Sequence, residues 1–232
     1  MNIKILESTT NPIELIYKSY RQCYSKDIAR EIEIPTIETT IGNVPDNQKM
    51  IEFIKDKLDK GHESPLEHVA FTFSIEGVSR VTEIQLIRHR LSSFSIQSGR
   101  YCNKSNIPII IPNTIVNHQE AFTQFIEVEE IINHTYNKLI EMGIPKEDAR
   151  YIMPQGQATN IVCTMNLRQL RHFLSERLCI YAQWEIRELA NLMYKEVELL
   201  VPFVGYNLDH CDECVNCLVK NIDKEVKEVI NK

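Results

Sequence analysis

The sequence predicts an α+β protein in which a mixed or antiparallel sheet is flanked by long helices. Three segments point there. Val69, Phe71, Phe73 and Ile75 alternate with Ala70, Thr72 and Ser74, the period-two pattern of a half-buried strand. Met50, Ile51, Phe53, Ile54 and Leu58 recur at helical spacing after Asp46, a good cap, and before Gly61, a good stop. Ala121 to Met142 reads as one long helix closed by Gly143.

The remaining elements follow in order. Met1 to Leu6 suits a short opening strand, and Ile13 to Cys23 spaces its apolar residues for a helix. Ser79 can cap a helix that has Thr82 and Glu83 in its first turns, carries Ile84, Leu86 and Ile87, and ends cationic at Arg88. Ser92, Ser93, Ser95, Ser98 and Gly99 predict a loop. Pro145, followed by Lys146, Glu147 and Asp148, opens a short helix that passes Arg150 and stops before Pro154. Asn166 to Leu178 and Ala182 to Val201 are helical, with Trp184 a core aromatic, and the chain is helical again from Ile222. Without repeats, low-complexity tracts or a linker rich in Gly, Ser or Pro, residues 1–232 are expected to form one domain with a Cys-rich, charged tail at 207–232.

Composition narrows the function classes. A formal net charge of −6 excludes a general attraction to nucleic acid or anionic lipid. No run approaches the about 20 apolar residues of a membrane span, and residues 1–10 lack a basic stretch leading into an apolar one, so a cytoplasmic protein is expected. Seven cysteines, an odd number and mostly scattered, suit reduced thiols better than a disulfide framework.

Anion binding must therefore come from a local cluster. Arg80, Arg88, Arg90 and Arg100 fall within the segment 80–101, which has no lysine and one acid, Glu83. The preference for arginine suits directional grip on phosphate or carboxylate. On a helix, Gln85 and Arg88 are three apart and share a face, so a carboxamide can read a base or ribose while the guanidinium holds a phosphate. Ser98 and Gly99 suit close backbone approach to an anion.

The run RHRLSSFSIQSGRY, Arg88 to Tyr101, is similar to the signature of flavin-dependent thymidylate synthases: arginine, histidine, arginine, then seven residues and a serine. GHESPLEH (61–68), ARYIMP (149–154), NLRQLRHFLSER (166–177) and AQWEIR (182–187) resemble further family segments in the same order. The resemblance implies the thymidylate synthase-complementing fold and a reductive methylation of dUMP to dTMP. It implies methylenetetrahydrofolate as carbon donor and FAD, reduced by NADPH, as hydride source. Positions matching the flavin contacts are Ser64, Arg88, His89, Arg90, Asn166, Arg168 and His172, with Ile96 able to contribute its backbone alone. Those matching the dUMP contacts are Gln85, Arg88, Ser98, Gly99, Arg100, Arg150 and Arg177. Arg177 matches the arginine thought to favour an anionic uracil ring, and is the expected catalytic residue. A homotetramer with active sites shared between subunits is implied as well.

Departures from the family pattern occur at Ser95 and Ile96, where many relatives carry Asn then Glu or Gln, and at Tyr181, often a histidine. They leave open a nucleotide-binding regulatory protein of the same fold that has lost turnover. Cys163 and Cys179 read as core thiols, and Ser98 as a ligand contact with no acyl-transfer partners. His62 and His68 flank Pro65 in a turn rather than a zinc site, and no metal ligands are expected. In the tail, His210, Cys211, Cys214 and Cys217 are compatible with zinc, with a local disulfide or with surface thiols, the first of which would suit a metal-stabilised interaction protein.

Overall fold

The computed structural model describes residues 1–105 and 107–209; the tail cysteines 211, 214 and 217 and the helix expected from Ile222 lie outside the described residues. The architecture is α+β. Strands β1 (Asn2–Ser8), β4 (Ala70–Ser79), β5 (Ser92–Ile96) and β6 (Ala158–Asn166) form a sheet of order β1-β4-β6-β5, and β2 (Thr36–Thr39) pairs antiparallel with β3 (Gly42–Pro45). The helices are α1 (Pro12–Gln22), α2 (Asn47–Asp59), α3 (Arg80–Leu86), α4 (Asn113–Val116), α5 (Gln119–Glu141), α6 (Lys146–Ala149), α7 (Leu167–Arg177) and α8 (Trp184–Glu198).

The chain divides into two compact units, one of Met1–Asn2, Ser74–Arg88 and Phe94–Val162, the other of Ile3–Phe73, His89–Ser93 and Cys163 onward. In the second unit, α1 packs on α2, and α7 packs on α8 and on the short 3-10 turn Ser64–His68. Ile16, Tyr20, Met50, Ile54, Leu66, Phe71, Phe73, Phe173 and Ile186 are buried there. Each large apolar side chain so buried contributes roughly 1.5–3 kcal/mol.

Local chemistry explains the ends of these elements. The Asp46 carboxylate accepts from Lys49 N–H at 3.0 Å and starts α2. Gly61, at φ 74°, ends it: Gly61 N–H donates to Leu58 and His62 N–H to Lys57, the paired bonds of a left-handed helix stop. Asn166 caps α7 by accepting from Gln169 N–H at 2.8 Å. Leu167, Leu170, Phe173 and Leu174 give α7 its buried face. Arg171, four residues after Leu167, falls on that face too and is 3% exposed. Its Nη1 donates to the carbonyls of Val204 and Tyr206 at 2.9 Å each and of Phe203 at 3.4 Å, and its Nη2 to Glu63 at 3.4 Å. A guanidinium thus ties the segment after α8 to α7.

In the first unit, Ser79 caps α3 by accepting from Thr82 N–H at 3.1 Å, and α5 packs on α6. Although α5 is 23 residues long, only Tyr136 on it is buried. Phe122, Val128 and Ile131 are exposed.

Three expectations differ from the structure. The serine-rich stretch is strand β5, whose residues Ser92, Phe94 and Ile96 are half-buried while Ser93 and Ser95 are exposed. Alternation outweighs serine's low strand preference at an edge of the sheet. The β2–β3 hairpin has an almost wholly exposed surface, so no apolar pattern announces it. Trp184 is half-buried because it is the first residue of α8, before the buried stripe Ile186, Leu189, Met193 and Val197.

The Arg171 clamp yields a first prediction. Arg171→Met leaves buried carbonyls without donors and should cost about 2–5 kcal/mol. Urea unfolding monitored by circular dichroism measures it, and a loss below about 0.5 kcal/mol would contradict the clamp.

Candidate active site

Helix α7 has a second face. Arg168, His172 and Ser175 repeat at four- and three-residue spacing and open onto a cleft of about 1120 Å³ in the second unit. Arg90, Leu91, Ser92 and Ser93 line it from the start of β5, Thr164 to Asn166 from the end of β6, and Glu63 and Glu67 from the 3-10 turn. Ligand pockets commonly span about 300–1,000 Å³, so this volume suits a dinucleotide-sized molecule. Of the expected flavin contacts, Arg90, Asn166, Arg168 and His172 meet here. Ser64 is exposed at the head of the 3-10 turn, between Glu63 and the cleft-lining Glu67, but is not itself among the lining residues.

Charge on the wall is partly neutralised. Arg168 Nη1 lies 2.5 Å from the Glu67 carboxylate and its Nε 3.8 Å from Glu63. The exposed side chain of Arg90 has no partner among the described residues.

Behind this wall His89 is 5% exposed, its ring edge-on to Phe173 at 4.9 Å and 6.0 Å from that of His172. Arg177 Nε donates to His89 Nε2 at 3.0 Å. An imidazole that accepts at Nε2 carries its proton on Nδ1, which faces the Gln169 carboxamide at 3.5 Å; turning that amide presents its oxygen as acceptor. Burial, and then the Arg177 guanidinium, push the His89 pKa from 6.5 down to about 4, against the opposing pull of Glu176. His89 is therefore neutral and holds Arg177 by its lone pair.

His89, His172 and Glu176 also bring possible metal-ligand atoms within 4.8 Å of one another. The His89 lone pair is already used, and the guanidinium that uses it repels a second cation.

The first unit gathers the other expected contacts. Gln85 lies in the last turn of α3, where its Nε2 donates to Val81 O at 3.3 Å, whereas Arg88 falls in the turn two residues past the end of α3 rather than on the helix as expected, its exposed side chain without a partner among the described residues. Arg100 N–H donates to Ser98 Oγ at 3.2 Å, and Cys102 N–H to Ser98 O at 3.0 Å, making a tight turn. Arg100 pairs with Glu147 at 2.7 Å, and Arg150 Nε donates to the Glu147 carbonyl at 3.1 Å. A Cβ on Gly99 would lie 3.1 Å from Arg150 Cδ, so glycine lets that side chain close over the turn. Ile96 is half-buried at the end of β5, and the next N–H, of Gln97, donates to Asn160 O.

Residues 4–203 match the family described as Thy1, thymidylate synthase complementing protein. A flavin-dependent thymidylate synthase of Nitratidesulfovibrio vulgaris is 39% identical over 199 residues, covering 82% of this chain and 80% of that one. The chain belongs to the flavin-dependent thymidylate synthase family. Its relative in Clostridium tetani, of the same name, is 37% identical over 218 residues, covering 87% of this chain and 84% of its own. Among solved structures, a UMP/dUMP methylase, PolB, from Streptomyces cacaoi bound with 5-Br dUMP superposes with TM-score 0.73 at 23% identity, over 88% of this chain and 92% of its own. The flavin-dependent thymidylate synthase of Helicobacter pylori, complexed with FAD and dUMP, gives TM-score 0.64 at 23% identity, over 84% and 93%. Both likenesses establish the fold.

Within this family member, several features are not evident from motifs alone. Glu63 and Glu67 sit inside GHESPLEH as counter-ions of Arg168, and pairing across 101 residues of sequence leaves no local signal. The burial of Arg171 is legible in helical periodicity, because the position falls on the Leu167–Leu170–Leu174 face. Cys163 is a core thiol, pushed up to about 12 by burial and so inert as a nucleophile. Cys179 is only half-buried, since it follows the last turn of α7 and opens the turn to Ala182.

The neutral state of His89 carries a pH signature. Unfolded chain takes up this proton near 6.5, whereas the folded protein resists it until about 4. The His89 contribution is therefore complete above about 6.5 and is lost as pH falls toward about 4, on the order of 3 kcal/mol in all. His89→Gln should flatten this acid limb. Urea unfolding of both proteins between about pH 7 and about pH 4.5 tests it, and parallel losses in the two would refute the assignment.

Proposed function

We propose that the chain catalyses the reductive methylation of dUMP to dTMP, with methylenetetrahydrofolate as carbon donor and FAD reduced by NADPH. The observation that carries the reading is the convergence of Arg90, Asn166, Arg168 and His172 on one large cleft, in a chain matching the family over residues 4–203. Relatives bearing the name are flavin-dependent, and the Helicobacter pylori structure contains FAD and dUMP.

The donor set suits an anionic dinucleotide. Arg90 offers an unpaired guanidinium, Arg168 one that can exchange Glu67 for a phosphate, and the capped start of α7 adds oriented N–H groups at Asn166. Ser64, Arg88, His89, His172 and the Ile96 backbone complete the proposed flavin contacts. The flavin, when bound, supplies the hydride chemistry. Gln85, Arg88, Ser98, Gly99, Arg100 and Arg150 hold dUMP, with the glycine turn and the arginines taking its phosphate.

Arg177 acts on the uracil ring. His89 occupies its Nε, so the guanidinium is fixed in orientation and its remaining N–H groups are presented as a unit. A positive charge preset where the ring becomes anionic stabilises that state without reorganisation. No cysteine nucleophile enters this scheme, consistent with the buried, strongly raised Cys163 thiol.

The active sites are shared between subunits of a homotetramer. Support comes from α5, whose Val128 and Ile131, three apart and so on one face of the 23-residue helix, are exposed. Such an apolar pair suits burial against another copy. Cys23, Cys102 and Cys163 are free thiols, and among the described residues no helix is long and apolar enough to cross a membrane. Both suit the proposed cytoplasmic location.

Anaerobic turnover of labelled dUMP with methylenetetrahydrofolate and NADPH should yield dTMP. Arg177→Ala should lower kcat by about 10²–10³ while the protein stays yellow with FAD. Binding of dUMP without any product would instead identify a nucleotide-binding regulatory protein. Ile131→Glu should shift the assembly to smaller species, read by light scattering after size exclusion, and reduce turnover with it. An unchanged mass would exclude this helix face from the interface.

A further inference from the structure

Lys104 stands beside the proposed dUMP contacts and has no part in the scheme above. It follows the Ser98–Arg100 turn and is 4% exposed. Its backbone N–H donates to the phenol oxygen of Tyr136, the one buried residue of α5, at 3.2 Å, so its place is fixed. A Cβ built on Gly99 would lie 3.5 Å from Lys104 Cε, 3.1 Å from Arg150 Cδ and 3.7 Å from Arg150 Nη1. Lysine and arginine stems therefore flank the same glycine.

The ammonium is not neutralised locally. Among the described residues it makes no hydrogen bond or ion pair, and the nearby Glu83, itself buried, is already held by Arg80 at 2.7 Å. Burial and the Arg80 charge push the Lys104 pKa down, while Cys102 and Glu83 act the other way. The Lys104 stem is buried, yet its Nζ is not among the enclosed polar atoms that lack a partner, so the ammonium keeps an opening through which an arriving anion can reach it. Next to Gly99, Arg100, Lys104 and Arg150 are set against one paired carboxylate among the described residues, Glu147, which leaves an excess of positive charge there.

We propose that Lys104 is a substrate-binding residue whose ammonium joins Arg100 and Arg150 around Gly99 and selects a nucleoside monophosphate over the free nucleoside. This rests on the assignment of dUMP to the Ser98–Arg100 turn. Lysine contributes a compact point charge where the arginines contribute directed forks, so it strengthens the grip on a dianion without dictating its orientation.

The test compares the full-length, FAD-loaded wild type with Lys104→Met and Lys104→Arg, measuring kcat and KM for dUMP and the calorimetric affinities of dUMP and deoxyuridine. Lys104→Met should raise KM and Kd for dUMP about ten- to a hundredfold, with kcat within about threefold and deoxyuridine affinity unchanged. Lys104→Arg should restore most of the dUMP affinity. The nucleotide-free Met variant should melt no lower than wild type, because its ammonium makes no hydrogen bond or ion pair among the described residues to lose. Should Lys104→Met not fold, Lys104→Gln makes the same comparison. Retained preference for dUMP over deoxyuridine in the Met or Gln variant overturns the role of Lys104 alone. Failure of the wild type to prefer dUMP overturns the dUMP assignment together with it.

Discussion

The burial of one face of α7 is the constraint from which the cleft follows. Leu167, Leu170, Phe173 and Leu174 anchor the helix, and Arg171 locks it to the carbonyls of residues 203–206. With that face immobile, a rotation of about 100° per residue puts Arg168, His172 and Ser175 on the cleft and Arg177 against His89. Precision in the ligand-facing side chains is thus inherited from packing on the opposite side. The buried Arg171 guanidinium serves architecture, in contrast to Arg90 and Arg168, which open onto the cleft. Its three carbonyl acceptors and Glu63 replace the water given up by Nη1 and Nη2, while Nε is buried without a partner.

A second constraint is that each proposed cation must remain available without unbalancing the ligand-free protein. Two solutions coexist. Arg168 and Arg100 rest on the carboxylates Glu67 and Glu147, both at the surface, where such pairs are worth little and separate readily. Arg88 and Arg90 instead stay exposed and solvated. Arg177 is a third case, because a neutral imidazole holds its Nε without cancelling its charge, while the exposed Glu176 carboxylate faces its Nη2 at 3.9 Å. Neutrality of His89 is therefore a condition for its accepting the Arg177 hydrogen bond, and packing against Phe173 helps secure that condition.

Much of the fold is legible in the amino-acid order because its signals are local. Asp46, Ser79 and Asn166 cap the helices they precede, Gly61 ends α2, and the alternation from Val69 to Ile75 marks β4. Strand β5 is obscured because its serines contradict strand preference, and only the alternation of Phe94 and Ile96 betrays it. The hairpin β2–β3 buries almost nothing and so leaves no apolar trace. At the site, the residue types are readable from the Arg88–Tyr101 and Asn166–Arg177 segments, and four of the flavin positions do share a cleft. The state of each group is not readable. That His89 is buried and uncharged, or that the Lys104 stem is buried beside Gly99, depends on neighbours brought in by folding.

The resting pair between Arg168 and Glu67 has a consequence for selectivity. Glu67 is tethered to the same unit, so after each separation it returns to Arg168 and competes with any single carboxylate or halide that arrives. Only a visitor that presents several oxygens at once, and finds additional holds along the cleft, gains enough to displace it. The carboxylate behaves as an intramolecular competitor that sets a threshold of valence for entry.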